Sequence, residues 1–352
     1  MAELMDYLKQ AVDDHASDLF IVAGGPVSEK VEGDIRPISD RVLPPETEVL
    51  ISGIYQLAER PMEHYRQTGD DDFSFAIRGL ARFRVNAYRQ RGSLAAVVRV
   101  VSFDIPDWKA LGIPAAVMDV ADLSHGMVLV TGTAGSGKST TLACIIDRIN
   151  RTRKGHIITL EDPIEFLHRD QLSIVSQREI AIDTEDYLSA LRACLRQAPD
   201  VILLGEMRDY ETIRTAMTAA ETGHLLFASL HTKGAAETID RIVDSFPPAQ
   251  QPQIRTQLST VLQAVISKQL LPGVSGSLVP AFEIMNMTPA IRSLIRENKC
   301  YQISNVIATG SGDGMMSMDQ SILSLYHSGQ ITRETALSYA DHPDLMARRL
   351  NA

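Results

Sequence analysis

The run Met127–Leu142, MVLVTGTAGSGKSTTL, constrains this chain more than any other stretch. Met127 to Thr131 read as a short buried strand, Gly132 to Ser139 fit G-x-x-x-x-G-K-[ST] at every fixed position, and Thr140 onward reads as a helix. Glycines at 132, 135 and 137 let the backbone turn tightly, so that successive N–H groups and a helix N-terminus point at the phosphates of a nucleotide. Lys138 is placed to reach the β- and γ-phosphates and the Ser139 hydroxyl to ligate Mg²⁺. The expected nucleotide-binding set is therefore Gly132, Thr133, Ala134, Gly135, Ser136, Gly137, Lys138, Ser139 and Thr140.

Around and beyond this loop, strands alternate with helices: strands at 127–131, 156–160, 200–204 and 225–230, helices at 138–150, 184–195, 209–221 and 234–244. Such alternation predicts crossover units and a mainly parallel sheet covered on both faces. Farther along, Gln250 to Gln269 reads as one long helix. An irregular stretch begins after Pro272, then short helices at about 289–297, 318–328 and 332–340. The expectation is an α/β core over 105–270 and a helical C-terminal segment over 271–352.

Residues 1–104 read differently. Leu4, Met5, Leu8 and Val12 have helical spacing, Ser17 to Val22 reads as a strand, Pro44 to Leu57 as a helix, and Asp71 to Val101 as two or three strands. This predicts a small α+β domain with an antiparallel sheet. Between Phe73 and Phe103 stand six arginines, Arg78, Arg82, Arg84, Arg89, Arg91 and Arg99, and no acidic residue. Arg82 and Arg84 share a strand face, and a turn near Arg91-Gly92 folds Arg99 back beside them. The cluster is a candidate phosphate clamp; the plainer reading of each arginine is a solvated strand face paired with carboxylates. Pro106, Gly112 and Pro114 punctuate 102–115, read as a linker and hinge.

The chain of 352 residues has a net charge of −10, which argues against broad affinity for nucleic acid or anionic lipid. Cys144, Cys194 and Cys300 lie far apart, so neither a disulfide framework nor a zinc site is indicated, and a reducing, cytoplasmic setting fits. The N-terminus has no long apolar region, and no run of about eighteen apolar residues occurs.

Three further stretches carry chemistry. Asp200 to Glu206, DVILLGE, is an apolar strand ending in a carboxylate, which in a phosphate-loop enzyme stands beside the nucleotide to hold Mg²⁺ through water or to polarise the attacking water. Ile158 to Phe166, ITLEDPIEF, places Glu161, Asp162 and Glu165 at the end of another strand, where ligands of parallel sheets bind. One of these supplies a base or orienting group, and another is a solvated or capping charge. Thr222 to Thr232 brackets a strand with two histidines. His224 reads as a structural hydrogen-bonding residue, whereas His231, at the strand's C-terminal end, faces the phosphate crevice and is placed to sense the γ-phosphate.

Together, GTAGSGKST, TLEDPIEF, RQAPDVILLGEMRD and AAETGHLLFASLHT resemble, in order and spacing, the four boxes of the secretion ATPase superfamily, over most of residues 70–345. AIRSLIRE at 290–297 and GMMSMDQ at 314–320 are similar to the C-terminal signature of its twitching-motility, pilus-retraction branch. The resemblance implies a homo-hexamer that hydrolyses ATP with Mg²⁺, each subunit having a PAS-like N-terminal domain and a RecA-like core. By position, it implies Glu165 as general base, Glu206 as the carboxylate near Mg²⁺ with Ser139, and Lys138 as a phosphate ligand. It makes Glu161, Asp162 and Glu165 the aspartate box, His224 and His231 the histidine box, and Arg82, Arg84 and Arg99 the arginines that reach phosphate. It further implies an inner-membrane pilus platform protein as partner, no nucleic-acid partner, and a place in the cytoplasm at the inner face of the cell membrane, with peripheral attachment through the pilus machinery. Pilus-extension and type II secretion ATPases are the nearest alternatives, and a nucleic-acid motor or a non-hydrolysing accessory subunit the more distant ones. Ala134, where threonine is common, and Lys233-Gly234 after the histidine box are departures that remove no obligatory ligand.

Overall fold

The computed structural model describes residues 2–31, 33–101 and 105–351, and the chain divides into two compact units, 1–104 with 165–167, and 105–164 with 168–352. In the first unit the helix Ala2–Asp13 buries Leu4, Leu8 and Ala11 along one stripe, as their spacing requires. Six strands come next, interrupted by the helices Pro44–Leu57 and Glu63–Thr68: β1 (Asp18–Val22), β2 (Pro26–Val31), β3 (Asp34–Arg41), β4 (Asp70–Ile77), β5 (Ala81–Gln90) and β6 (Ser93–Val101). They form one antiparallel sheet in the order β3-β2-β1-β6-β5-β4. The α+β reading of this part is borne out.

Strand alternation sorts its side chains. Ala81, Phe83, Val85 and Ala87 of β5 are buried in the core with Ile51 and Ile54 of the second helix, and Arg82 and Arg84 occupy the opposite face. Arg91-Gly92 makes a two-residue turn with φ of 49° and 79°, the positive pair that matches the twist of a tight hairpin. The turn sets Gln90 opposite Ser93 and Arg84 opposite Arg99.

In the second unit β7 (Gly126–Thr131), β8 (His156–Glu161), β9 (Ile174–Glu179), β10 (Val201–Leu204), β11 (Leu225–Leu230), β12 (Leu262–Pro272) and β13 (Leu278–Asn286) form a sheet in the order β13-β12-β7-β11-β10-β8-β9. Every pairing is parallel except that of β12 with β13. Helix Lys138–Thr152 covers one face, packing on Val128 and Val130. Helices Tyr187–Cys194, Tyr210–Glu221, Ala235–Asp244 and Gln251–Val261 cover the other, on Met127 and Leu129. β7 is apolar on both sides because both sides are covered.

The long helix expected over 250–269 stops at Val261, and the chain continues as β12. β12 crosses 270/271, the boundary expected between core and helical segment, and β13 lies wholly beyond it. The helices Pro289–Arg296, Met318–His327 and Arg333–Tyr339 fall where expected, joined by Ile303–Thr309 and Pro343–Arg349. Of the linker expected over 102–115, residues 102–104 lie outside the described residues. Ile105 and Trp108 pack against the core around helix Lys138–Thr152, where the Cys144 thiol donates to the Pro106 carbonyl at 3.4 Å.

Candidate active site

The site is built at the C-terminal ends of β7, β11 and β10, three neighbours in the sheet. The chain leaves β7 at Thr131, whose hydroxyl lies 2.7 Å from that of Ser267 on β12, and turns through Gly132 at φ 143° and Gly137 at φ 81° before the helix begins at Lys138. Those positive φ values are open to glycine and strained for other residues. Ser136 is almost wholly buried inside the loop, and its hydroxyl has no hydrogen-bond partner among the described residues. A buried orphan hydroxyl is costly unless something else in the loop bonds to it, which suits a loop shaped around a polar ligand. A cavity of about 430 Å³ opens beside Gly132 and Thr133, with Lys233, Lys268 and Asp341 in its walls.

Lys138 is buried and donates to the carbonyls of Gly132 at 2.9 Å and Thr133 at 3.0 Å, and its ammonium lies 3.4 Å from Nδ1 of His231. An ammonium only donates, so Nδ1 is the acceptor and the ring proton sits on Nε2. That Nε2 lies 3.4 Å from Oε1 of Glu206, whose other oxygen is 2.7 Å from Arg208. Burial pushes the Glu206 carboxyl up, but the hydrogen bond and charge of Arg208, with His231, outweigh it and hold the group below the usual glutamate range. Glu206 is therefore ionised at neutral pH. Gly205 lets β10 end tightly there: a Cβ on it would lie 2.8 Å from the Tyr187 hydroxyl.

Glu161, at the end of β8, accepts from the Thr159 hydroxyl at 2.5 Å and the Gln177 amide at 3.3 Å. Burial first, then the charges of Asp162, Glu206 and Glu161, push the Tyr187 phenol well above its ordinary range. Glu165 is exposed and is grouped with the first unit; it takes part in none of these contacts of the core. His224 lies at the opposite end of β11 from His231, its Nδ1 2.9 Å from the Ala219 carbonyl at a helix terminus, a structural arrangement. In the first unit Arg82, Arg84 and Arg99 share one face of the sheet, with Arg99 held by Asp18 at 2.9 Å and directly across from Arg84.

Among the described residues no three His, Cys, Asp or Glu side chains form a metal cage. A magnesium ion needs none: it keeps most of its waters and takes one or two protein oxygens plus phosphate oxygens. The Ser139 hydroxyl and the ionised Glu206 carboxylate fit that requirement. Three contributors are not singled out by sequence pattern: Arg208, Tyr187, and Lys268 of β12, which reaches the loop from beneath. Of these, Arg208 carries a local signal, a charge two residues from Glu206.

The description "Type II/IV secretion system protein" matches residues 2–344, all but the last few of the chain. The chain belongs to the type II/IV secretion system protein family. It is similar to "Type IV pilus retractation ATPase PilT" of Pseudomonas aeruginosa, 45% identical over 344 residues that cover 97% of this chain and 99% of that one. It is also similar to "Twitching motility protein" of Neisseria gonorrhoeae, 45% identical over 90% of this chain and 85% of the relative. A crystal structure of the pilus retraction motor PilT with bound ADP superposes with a TM-score of 0.89 at 44% identity, covering 98% of each chain. The phosphate loop, its Glu206 and its His231 are thus read within a family of ATPases.

Proposed function

We propose that this protein is an ATPase that powers the retraction of type IV pili, the movement underlying twitching motility, by coupling ATP turnover to rotation of its domains. One observation carries the catalytic part: Lys138, His231, Glu206 and Arg208 form an unbroken polar chain at the ends of three adjacent strands. Lys138 donates hydrogen bonds to two loop carbonyls, acceptors that phosphate oxygens replace when ATP binds. His231 keeps one nitrogen toward Lys138 and one toward Glu206, so loss of the γ-phosphate changes the balance of bonds the imidazole makes. Glu206 is ionised and orients the attacking water by accepting a hydrogen bond from it. Mg²⁺, when bound by Ser139 and Glu206, supplies charge neutralisation to the phosphates. Glu165 is assigned as the base for the attacking water from its place in the aspartate box, and Arg82, Arg84 and Arg99 are assigned as arginines that contact phosphate.

A homo-hexamer acting on an inner-membrane platform protein from the cytoplasmic side belongs to the same reading. The names of the relatives tie the reading to the type IV pilus and to twitching motility, and among the described residues no helix is long and apolar enough to cross a membrane. Phosphate release by Lys138→Ala, Glu165→Gln and Glu206→Gln tests the chemistry, with a loss of about a hundredfold or more expected in each. Wild-type turnover in all three would refute it. Deleting the gene in its host tests the direction of work: surplus pili without twitching are expected, and absence of pili would mean extension instead.

A further inference from the structure

Lys268 stands in the middle of β12, where its neighbours Val265, Ile266 and Leu271 are fully buried. It is itself 4% exposed. Parallel pairing sets Ser267 against Thr131, so the next residue along β12 meets the first glycine of the phosphate loop. A Cβ placed on Gly132 would lie 2.3 Å from the Lys268 carbonyl oxygen. The side chain runs under the loop to its other end. There Nζ lies 3.3 Å from the Gly137 carbonyl and 3.2 Å from the Thr141 hydroxyl, and a Cβ on Gly137 would come within 2.8 Å of it. One residue thus touches both fixed glycines of the motif, with its backbone at the first and its ammonium at the last.

Stability does not explain this lysine. Its ammonium also faces the Phe282 ring, 5.4 Å from Nζ, and among the described residues no ion pair includes it. A buried cation bonded only to neutral acceptors is costly, and burial pulls this ammonium down to about 8. A methionine of similar shape avoids that cost. The bonds it makes, however, add to those that the Thr141 N–H and hydroxyl make to the same Gly137 carbonyl at 3.1 and 3.0 Å, and tie β12 to the carbonyl immediately before Lys138 and to the first turn of the helix whose N-terminus receives the phosphates.

We propose that Lys268 is a positioning residue of the nucleotide site, holding the Gly137 carbonyl and the Thr141 hydroxyl so that the phosphate loop keeps its binding geometry. The inference rests on the reading of this loop as a nucleotide site. It is tested by measuring ADP affinity and ligand-free thermal stability for Lys268→Met and Lys268→Gln, with Lys138→Ala alongside. Lys268→Met is expected to bind ADP about tenfold more weakly with an undiminished melting temperature, because a strained loop and a relieved buried charge pull in opposite directions. Lys268→Gln keeps an N–H donor and is expected to recover at least threefold of that loss. The inference is overturned by near wild-type affinity in Lys268→Met, by a parallel fall in its melting temperature or failure to fold, or by equal affinities of the two variants. Loss of binding in Lys138→Ala with none in Lys268→Met sinks this inference alone, whereas undiminished binding in Lys138→Ala sinks the nucleotide reading itself.

Discussion

Replacing the loop glycines one at a time by alanine should produce a graded series, because the three positions differ in what a methyl group meets. At Gly135 φ is +75° and, its chain neighbours aside, no atom of the described residues lies within 4 Å of the added carbon, so the cost is that of the left-handed conformation alone, about 1 kcal/mol. At Gly137 φ is +81° and the methyl lands 2.8 Å from Lys268 Nζ, the mobile end of a side chain. That tip can retreat only by giving up a hydrogen bond, adding about 1 kcal/mol to the conformational cost. At Gly132 φ is +143° and the methyl lands 2.3 Å from the Lys268 carbonyl and 2.7 Å from the Ser136 hydroxyl. A backbone carbonyl in the middle of a paired strand cannot retreat, so the loop must leave its conformation, at a cost of about 3 kcal/mol or more. Where that conformation is needed to bind phosphate but not to fold, each cost appears as lost affinity at about 1.4 kcal/mol per factor of ten. Titration calorimetry with ADP should then find losses of about fivefold, about thirtyfold and more than a hundredfold for Gly135→Ala, Gly137→Ala and Gly132→Ala. Ligand-free melting temperatures of the first two should stay close to wild type. Gly132→Ala binding within tenfold of wild type, or Gly135→Ala as damaged as Gly132→Ala, would refute the reasoning.

Two predictions concern charge. Burial, then the charges of Asp341 and Asp319, hold the Glu283 carboxyl above the usual glutamate range, although its Oε1 accepts the Ala235 N–H at 2.7 Å. A raised folded value means that the ionised form destabilises the fold, and that this cost fades as the pH falls through the raised value toward the ordinary one of about 4.3. Glu283→Gln keeps the acceptor oxygen and should stabilise the protein by about 1 kcal/mol at pH 8, with the gain lost below about pH 4; a pH-independent difference in thermal melts would reject this. For Asp71, burial pushes the carboxyl up but the bonds from Arg60 and Tyr55 outweigh it and hold it below the usual range. Its contribution is therefore full above about pH 3.9 and is lost as the pH falls through the lower folded value. The Arg60 side chain is 39% exposed and that of Asp71 only 3%, so screening reduces the pair's worth and Asp71→Asn should cost about 2 kcal/mol at neutral pH, read as an earlier urea midpoint.

What could be read from residues alone tracked the strength of the local rule. The phosphate loop and its strand–helix context are dictated by glycine stereochemistry and a short apolar run, and the hairpin at Arg91-Gly92 by the two positive φ values it needs, so both lie where expected. The alternating core was legible because strands buried on both faces read as short apolar runs between amphipathic helices. The stretch 250–269 was not, and the reason bears directly on the site. Leu262, Ala264, Val265, Ile266 and Leu271 form an apolar run that periodicity cannot assign between a buried helix and a buried strand, and the helical residues before it favour continuing the helix. On a helix, Lys268 is an ordinary charge on a solvated face. On a central strand it is a cation with covered surfaces on both sides, and such a residue demands a reason. The error in element type therefore hid a site residue, and only the pairing of Ser267 with Thr131 brings Lys268 beneath the loop. The relation between Glu206 and His231 was hidden differently: each stood at the end of its own strand, but their bond depends on β10 and β11 being neighbours, a fact of sheet order that no local pattern carries.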